Sequence, residues 1–223
     1  SPQDGVVATS NILCLSGRSL QADLEKAAGC PVTIGNDANC FALIEALHGA
    51  GKGFGVVLGV ILGTGMGGGV VYQGRVWPGA QGLAGEWGHS TIDPNGVLCY
   101  CGRRGCQEQY ISGTGIRRMY RERTGQEKTA PEIHDHAKDG SDPHAQAVME
   151  TFLELYAQAM ANLIVCFDPD AIVIGGGVSN LPLLYDEGRK RIAELVFDTK
   201  LSTQIRPNQL GDASGVCGAA ALA

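Results

Sequence analysis

The run Val56-Val57-Leu58-Gly59-Val60-Ile61-Leu62-Gly63-Thr64-Gly65-Met66-Gly67-Gly68-Gly69-Val70-Val71-Tyr72 decides how this chain folds. Residues 56–62 are an almost unbroken series of β-branched and apolar side chains, which suits a short strand buried on both faces. Residues 70–72 read as a second strand, closed by a turn at Gln73-Gly74. The glycine loop over residues 63–69 joins the two as a hairpin rather than as a strand-to-helix crossover. Five of those seven residues are glycine, and two readings follow. The backbone amides of this loop can form an anion nest with the Thr64 hydroxyl as an extra donor. Alternatively the loop is a permissive turn, because glycine enters left-handed backbone without a Cβ clash. The lysine of a Walker A loop is absent.

Upstream of the hairpin, residues 1–19 read as loop and residues 20–28 as a short helix stopped by Gly29 and Pro31. Residues 31–34 suggest a strand that ends at Asn36-Asp37, where a second helix opens and runs to about His48. Asp37 at this junction is either an ordinary helix cap or a carboxylate that takes a proton from an alcohol oriented by Asn36. The Gly/Lys-rich connection over residues 49–55 is the best internal boundary.

Downstream, residues 78–105 are irregular and residues 107–123 helical with a break near Gly113-Thr114-Gly115. Residues 131–138 form a minor helix. The longest helix covers residues 144–167, where Val148, Phe152, Leu155, Tyr156, Ala159 and Leu163 recur at helical spacing. After Asp168-Pro169-Asp170, residues 171–174 form a buried strand, and Gly175-Gly176-Gly177 is either a bare turn or a nucleotide contact. A helix over residues 181–196 with a weak point at Gly188, a strand near residues 201–205 and a small-residue helix from Ala213 close the chain.

The irregular region holds the most specific pattern. Gly85-Glu86-Trp87-Gly88-His89 is followed by Cys99-Tyr100-Cys101-Gly102-Arg103-Arg104-Gly105-Cys106-Gln107-Glu108. One histidine and a C-x-C-x4-C run can close a four-coordinate zinc site through His89, Cys99, Cys101 and Cys106, with reduced structural thiols as the other reading. Glu86 and Glu108 flank these ligands without being needed by the metal. Of the eight cysteines, the remaining Cys14, Cys30, Cys40, Cys166 and Cys217 are scattered singly, which suits free thiols better than a disulfide framework.

The 223 residues, 44% apolar and 18% charged with 33 glycines, describe a globular α/β protein. A net charge of −6 without a basic run argues against a nucleic-acid partner for this segment. No apolar run is long enough to span a membrane, so a soluble, cytoplasmic protein is expected. The opening Ser1-Pro2 suggests that an N-terminal portion precedes the segment.

Taken together, the motifs resemble the ROK (repressor, open reading frame, kinase) family of sugar kinases over essentially the whole chain. They occur in the family's order: Asn36-Asp37-Ala38-Asn39, Leu62 with the glycine loop, Gly85 to His89, Cys99 to Glu108, Asp168-Pro169-Asp170 with the Gly175 turn, and Gly211-Asp212-Ala213-Ser214-Gly215. The resemblance implies an α/β actin-like, ribonuclease H-like ATPase fold of two domains with the N-terminal one incomplete. Residues 1–50 would be its remnant, and residues 51–223 the C-terminal domain. It implies transfer of phosphate from Mg2+-bound ATP to the C6 hydroxyl of a hexose of the fructose, mannose or glucose type. The alternatives are N-acetylglucosamine kinase and the sugar-sensing domain of a ROK repressor. Asp37 would be the catalytic base, with Asn11, Asn36, Glu86, His89 and Glu108 on the sugar. Gly63, Thr64, Gly65 and Gly67 would meet phosphate, Gly175, Gly176 and Gly177 the adenosine side. His89, Cys99, Cys101 and Cys106 would hold structural Zn2+. A small-molecule sugar is the implied partner, and a homodimer the implied assembly. The Asp-x-Gly-Gly-Thr loop with which family members open is not in this segment, so the segment alone is expected to be inactive.

Overall fold

The computed structural model describes Val6 and residues 13–197, 200–211 and 213–222. Val56–Leu62 (β1) and Met66–Tyr72 (β2) pair antiparallel, with Val56 opposite Tyr72 and Leu62 opposite Met66. The hairpin connection is therefore residues 63–65, narrower than the loop expected over residues 63–69, because Gly67, Gly68 and Gly69 belong to β2. Packing is the reason. A Cβ on Gly69 would lie 2.8 Å from the Ala38 carbonyl oxygen and 2.9 Å from Ala42 Cβ, and one on Gly68 would enter the Trp87 ring. The bare strand lets a helix and an indole approach its two faces.

Arg75–Val76 (β3) pairs antiparallel with β2, while Ala171–Gly175 (β4) lies parallel beside β1 and Gln204–Pro207 (β5) parallel beside β4. The sheet order is β3-β2-β1-β4-β5. Alternate side chains point to opposite faces. Leu58, Val60, Leu62, Ile172 and Ile174 join one core, roofed by Gly113–Thr124 (α3), Ala130–Asp139 (α4), Pro143–Phe167 (α5) and Glu187–Leu195 (α6). Val57, Val71 and Val173 join a second core with Phe41, Ala42, Leu43 and Ala46 of Asp37–His48 (α2), and Ser214–Ala220 (α7) packs on α2. Both faces are covered, which accounts for the continuous apolar run of β1. Burying a side chain such as Phe41 contributes about 1.5–3 kcal/mol. Leu20–Ala28 (α1) has no buried residue.

Helix α5 begins where Asp142 caps it, accepting from His144 N and Ala145 N, with Pro143 at the first helical position. Its buried Val148, Phe152, Tyr156, Ala159 and Leu163 reproduce the expected stripe. Helix α2 carries a buried charge. Glu45 is 0% exposed, and its carboxylate accepts hydrogen bonds from Ala50 N at 2.9 Å, Gln209 N at 3.1 Å and Leu210 N at 2.9 Å. The chain after β5 is thereby tied to α2.

Three expectations are corrected. Residues 31–34 form no strand: three of the four are exposed, and Val32 N donates to the Glu25 side chain instead of to a neighbouring strand. The helix expected over residues 181–196 is a 3-10 turn, Pro182–Leu184, followed by α6. Gly188 lies within α6 and is no break; a Cβ there would be 2.8 Å from the Tyr156 ring, so it is a contact point. The last strand is β5, shifted toward the C-terminus, because its pairing with β4 starts at Ala171 opposite Gln204. Among the described residues no helix is long and apolar enough to cross a membrane.

Candidate active site and metal centre

The start of α2 separates two roles that the sequence left open. Asn36 is the cap: its side-chain oxygen accepts from Ala38 N at 2.9 Å and Asn39 N at 3.1 Å. Asp37 is the first helical residue. Its Oδ1 accepts from Ala38 N at 2.9 Å, and its Oδ2 has no hydrogen-bond partner among the described residues. The exposed carboxylate lines a cavity of about 220 Å³ with Ile61, Gly176, Asn208, Gly211 and Ser214.

Glycine turns lie at the carboxyl ends of the parallel strands β1 and β4, where open α/β sheets bind ligands. In the first, Gly63 N donates to Gly65 O, while Gly63 O accepts from Gly113 N at 2.8 Å, which fastens the turn to the start of α3. In the second, Gly176 has φ 81° and no room for a side chain, since a Cβ would lie 2.5 Å from Leu62 O. Gly175 ends β4 in contact with Phe41. A cavity of about 390 Å³ opens beside both turns, lined by Gly63, Thr64, Thr114, Arg117, Gly177 and Leu181. Gly176 faces the Asp37 cavity and Gly177 faces this one, so a single dipeptide separates the two.

The cysteine region folds back on itself through Cys99 N to Arg103 O, Gly105 N to Val97 O and Ile92 N to Gly105 O. His89 ends the 3-10 turn Glu86–His89, and this fold-back brings its ring to the three thiols. The donor atoms of His89, Cys99, Cys101 and Cys106 all lie within 4.8 Å of one another. His89 Nδ1 is 3.6 Å from Cys99 Sγ, and Cys101 Sγ is 3.5 Å from Cys106 Sγ. Tetrahedral zinc with bonds of about 2.0–2.3 Å sets its donors about 3.3–3.8 Å apart, a range that holds both of these separations, and the nitrogen and sulfur donor set suits the ion. Burial, ahead of the adjacent thiols, pushes the Cys106 thiol up to about 12; a bound cation would reverse that preference and hold the thiolate.

Glu108, in the 3-10 turn Gln107–Gln109, accepts from Met66 N at 3.0 Å, and a Cβ on Gly65 would overlap its carboxylate. Glu108 thus closes the first glycine turn. It shares a cavity of about 440 Å³ with Thr64, Gly65, Tyr100 and Ser112. Tyr100 donates to or accepts from His89 Nε2 at 2.9 Å, with the two rings edge to face. Partial desolvation and then the charge of Glu108 raise the Tyr100 phenol pKa, with Cys99, Glu86 and Cys101 adding to it.

The structure therefore gathers His89, Glu108 and the metal-ligand set on one loop, and Gly63, Thr64 and Gly177 around one cavity. Glu86 is exposed at the start of the His89 turn. No hydrogen bond joins Asn36 or Asp37 to Glu86, His89 or Glu108 among the described residues. Gly67 lies within β2, against Ala38, outside the turn. Asn11 lies outside the described residues. Sequence reading passed over Tyr100, Arg117, Asn208 and Glu45. For Tyr100 a signal existed, since it stands between two candidate ligands; the others reach their places only through tertiary packing.

The ROK family model matches residues 1–223. The chain is 41% identical over 230 residues to the N-acetyl-D-glucosamine kinase of Aliivibrio salmonicida, covering 99% of this chain and 76% of that protein. It is 40% identical over 228 residues to an N-acetylgalactosamine kinase of Shewanella, covering 98% and 73%. Among solved structures it superposes on the ROK hexokinase from Thermus thermophilus with a TM-score of 0.85 at 33% identity, covering 97% of this chain and 72% of that one. The mixed α/β architecture built on the five-stranded sheet is the actin-like ATPase fold.

Proposed function

Because this chain belongs to the ROK family, we propose that it acts as an ATP-dependent sugar kinase, transferring phosphate to the C6 hydroxyl of a hexose of the N-acetylglucosamine type. One observation carries the reading: the Asp37 carboxylate and the two glycine turns converge on adjoining cavities at the ends of β1 and β4. Phosphoryl transfer asks a protein mainly for placement and charge stabilisation. Asp37 Oδ2 takes the proton of the sugar hydroxyl, the sugar oxygen bonds to the γ-phosphorus, and ADP leaves with the electrons of the broken bond. The amides of Thr64 and Gly65 suit the phosphates, and the cavity of about 390 Å³ beside Arg117 and Gly177 suits the adenosine. Mg2+, when bound, would neutralise charge on the β- and γ-phosphates.

Asn36, Glu86, His89 and Glu108 are the proposed sugar contacts. His89 through Nδ1, with Cys99, Cys101 and Cys106, is the proposed zinc clip that holds them in register. The N-acetylated acceptor is favoured over an unmodified fructose, mannose or glucose because the relatives at 41% and 40% identity are kinases of N-acetylated hexosamines. A coupled ADP-release assay across N-acetylglucosamine, N-acetylgalactosamine, glucose, mannose and fructose tests the reading. Turnover highest with an N-acetylhexosamine supports it, and no turnover with any of the five overturns it.

A further inference from the structure

The Tyr100 hydroxyl is 2.9 Å from His89 Nε2, and the other ring nitrogen, Nδ1, faces the thiols. An imidazole ligating a metal through Nδ1 carries its proton on Nε2, so it has one N–H to donate. With the metal on Nδ1, that N–H would meet the phenol oxygen, which already stands within hydrogen-bond distance of Nε2. Tyr100 is not held there by packing, since it is 74% exposed. Tyr100 also lines one cavity with Glu108, a side chain that is proposed to meet the sugar.

We propose that the Tyr100 phenol is a built-in competitor of the acceptor sugar, occupying on His89 Nε2 the position of a sugar hydroxyl. The inference rests on the sugar-kinase reading. A single N–H cannot serve the phenol and a sugar oxygen at full strength together, so the sugar must displace Tyr100 as it binds. The net worth of one such hydrogen bond corresponds to about two- to tenfold in an equilibrium constant. Tyr100 therefore sets the sugar affinity below what His89, Glu86 and Glu108 would otherwise deliver, and it does not line the cavity beside Arg117 and Gly177.

The test is Tyr100→Phe in the full-length protein, which keeps the ring and removes the hydroxyl at an exposed site. With the best substrate of the five-sugar panel, KM for the sugar is expected to fall about two- to tenfold, while KM for ATP does not follow it. Direct titration of the sugar without nucleotide is expected to give the same factor. A sugar KM that is unchanged or raised overturns the proposal, a rise showing that the phenol contacts the sugar instead. If the unsubstituted protein phosphorylates a sugar but the variant binds it no tighter, the proposal fails and the kinase reading stands. If the unsubstituted protein neither binds nor phosphorylates any of the five, the kinase reading fails and this proposal with it.

Discussion

At the residue scale the candidate site turns on a division of labour between two neighbours. Asn36 satisfies the open amides at the start of α2, so Asp37 need not be spent on capping and keeps one oxygen for a proton. Asp37→Asn preserves the volume and removes the basicity. It is expected to lower kcat by about 10²–10⁴-fold while sugar affinity, read by calorimetry, shifts far less. An equal loss in both would argue that Asp37 binds rather than reacts. Asp37 was visible in the sequence as a candidate because a carboxylate beside Asn36 can take a proton from an oriented alcohol, although an aspartate at a helix start is also an ordinary cap. Its freedom from the cap was not, since two adjacent polar residues can exchange that role and only coordinates decide. Tyr100 shows the opposite case: its spacing marked it, but nothing in the order of residues says that an exposed phenol bends back to the histidine.

Elements follow the sequence where one periodic signal governs them. β1 and α5 formed where expected because β-branched runs and a helical stripe are local statements of burial. The glycines at residues 67–69 misled because they serve two partners that are remote in the chain, Ala42 and Trp87. Two predictions belong here. Glu45→Ala leaves the amides of Ala50, Gln209 and Leu210 without their acceptor. The expected loss is about 3 kcal/mol or more, seen as a lower urea midpoint; Glu45→Gln, which keeps one acceptor oxygen, should lose less. At the start of α5, Asp142 is held well below the usual carboxylate range by the Tyr120 hydroxyl, then Lys128 and the backbone amides of Ala145 and His144. A depressed folded-state pKa adds stability above the unfolded value of about 3.9 and loses it as pH falls further toward the folded one. Asp142→Asn should therefore be less stable than the parent at pH 7, and the gap in thermal midpoint should narrow as the pH drops below about 4. A gap independent of pH would mean that the carboxylate's charge is not what matters.

For the whole molecule, the cysteine loop is a folded-back segment that gathers four donors. Its four candidate ligands were plain in the sequence, because metal spacing is a local pattern; the two adjoining cavities were not, because they depend on where β4 returns beside β1. Protein purified without chelator is expected to contain one equivalent of zinc, and less than half would argue against the clip. Chelation should weaken sugar binding before it weakens ATP binding, because the ligand loop carries His89 and Glu108 while the cavity beside Arg117 and Gly177 is built mostly from α3 and the glycine turns.

The Glu45 clamp has a bearing on how the chain is assembled in time. It joins positions 164 residues apart, one of the longest loops the chain can close, and such contacts form late because so much backbone freedom must be given up first. During synthesis the helix that bears Asp37 emerges well before Gln209 and Leu210, so the buried Glu45 carboxylate waits for them. Until they arrive, Glu45 has the amide of Ala50 but not those of Gln209 and Leu210. A nascent chain would thus fix the helix that bears Asp37 against the segment after β5 only once residues more than 160 positions downstream have been made.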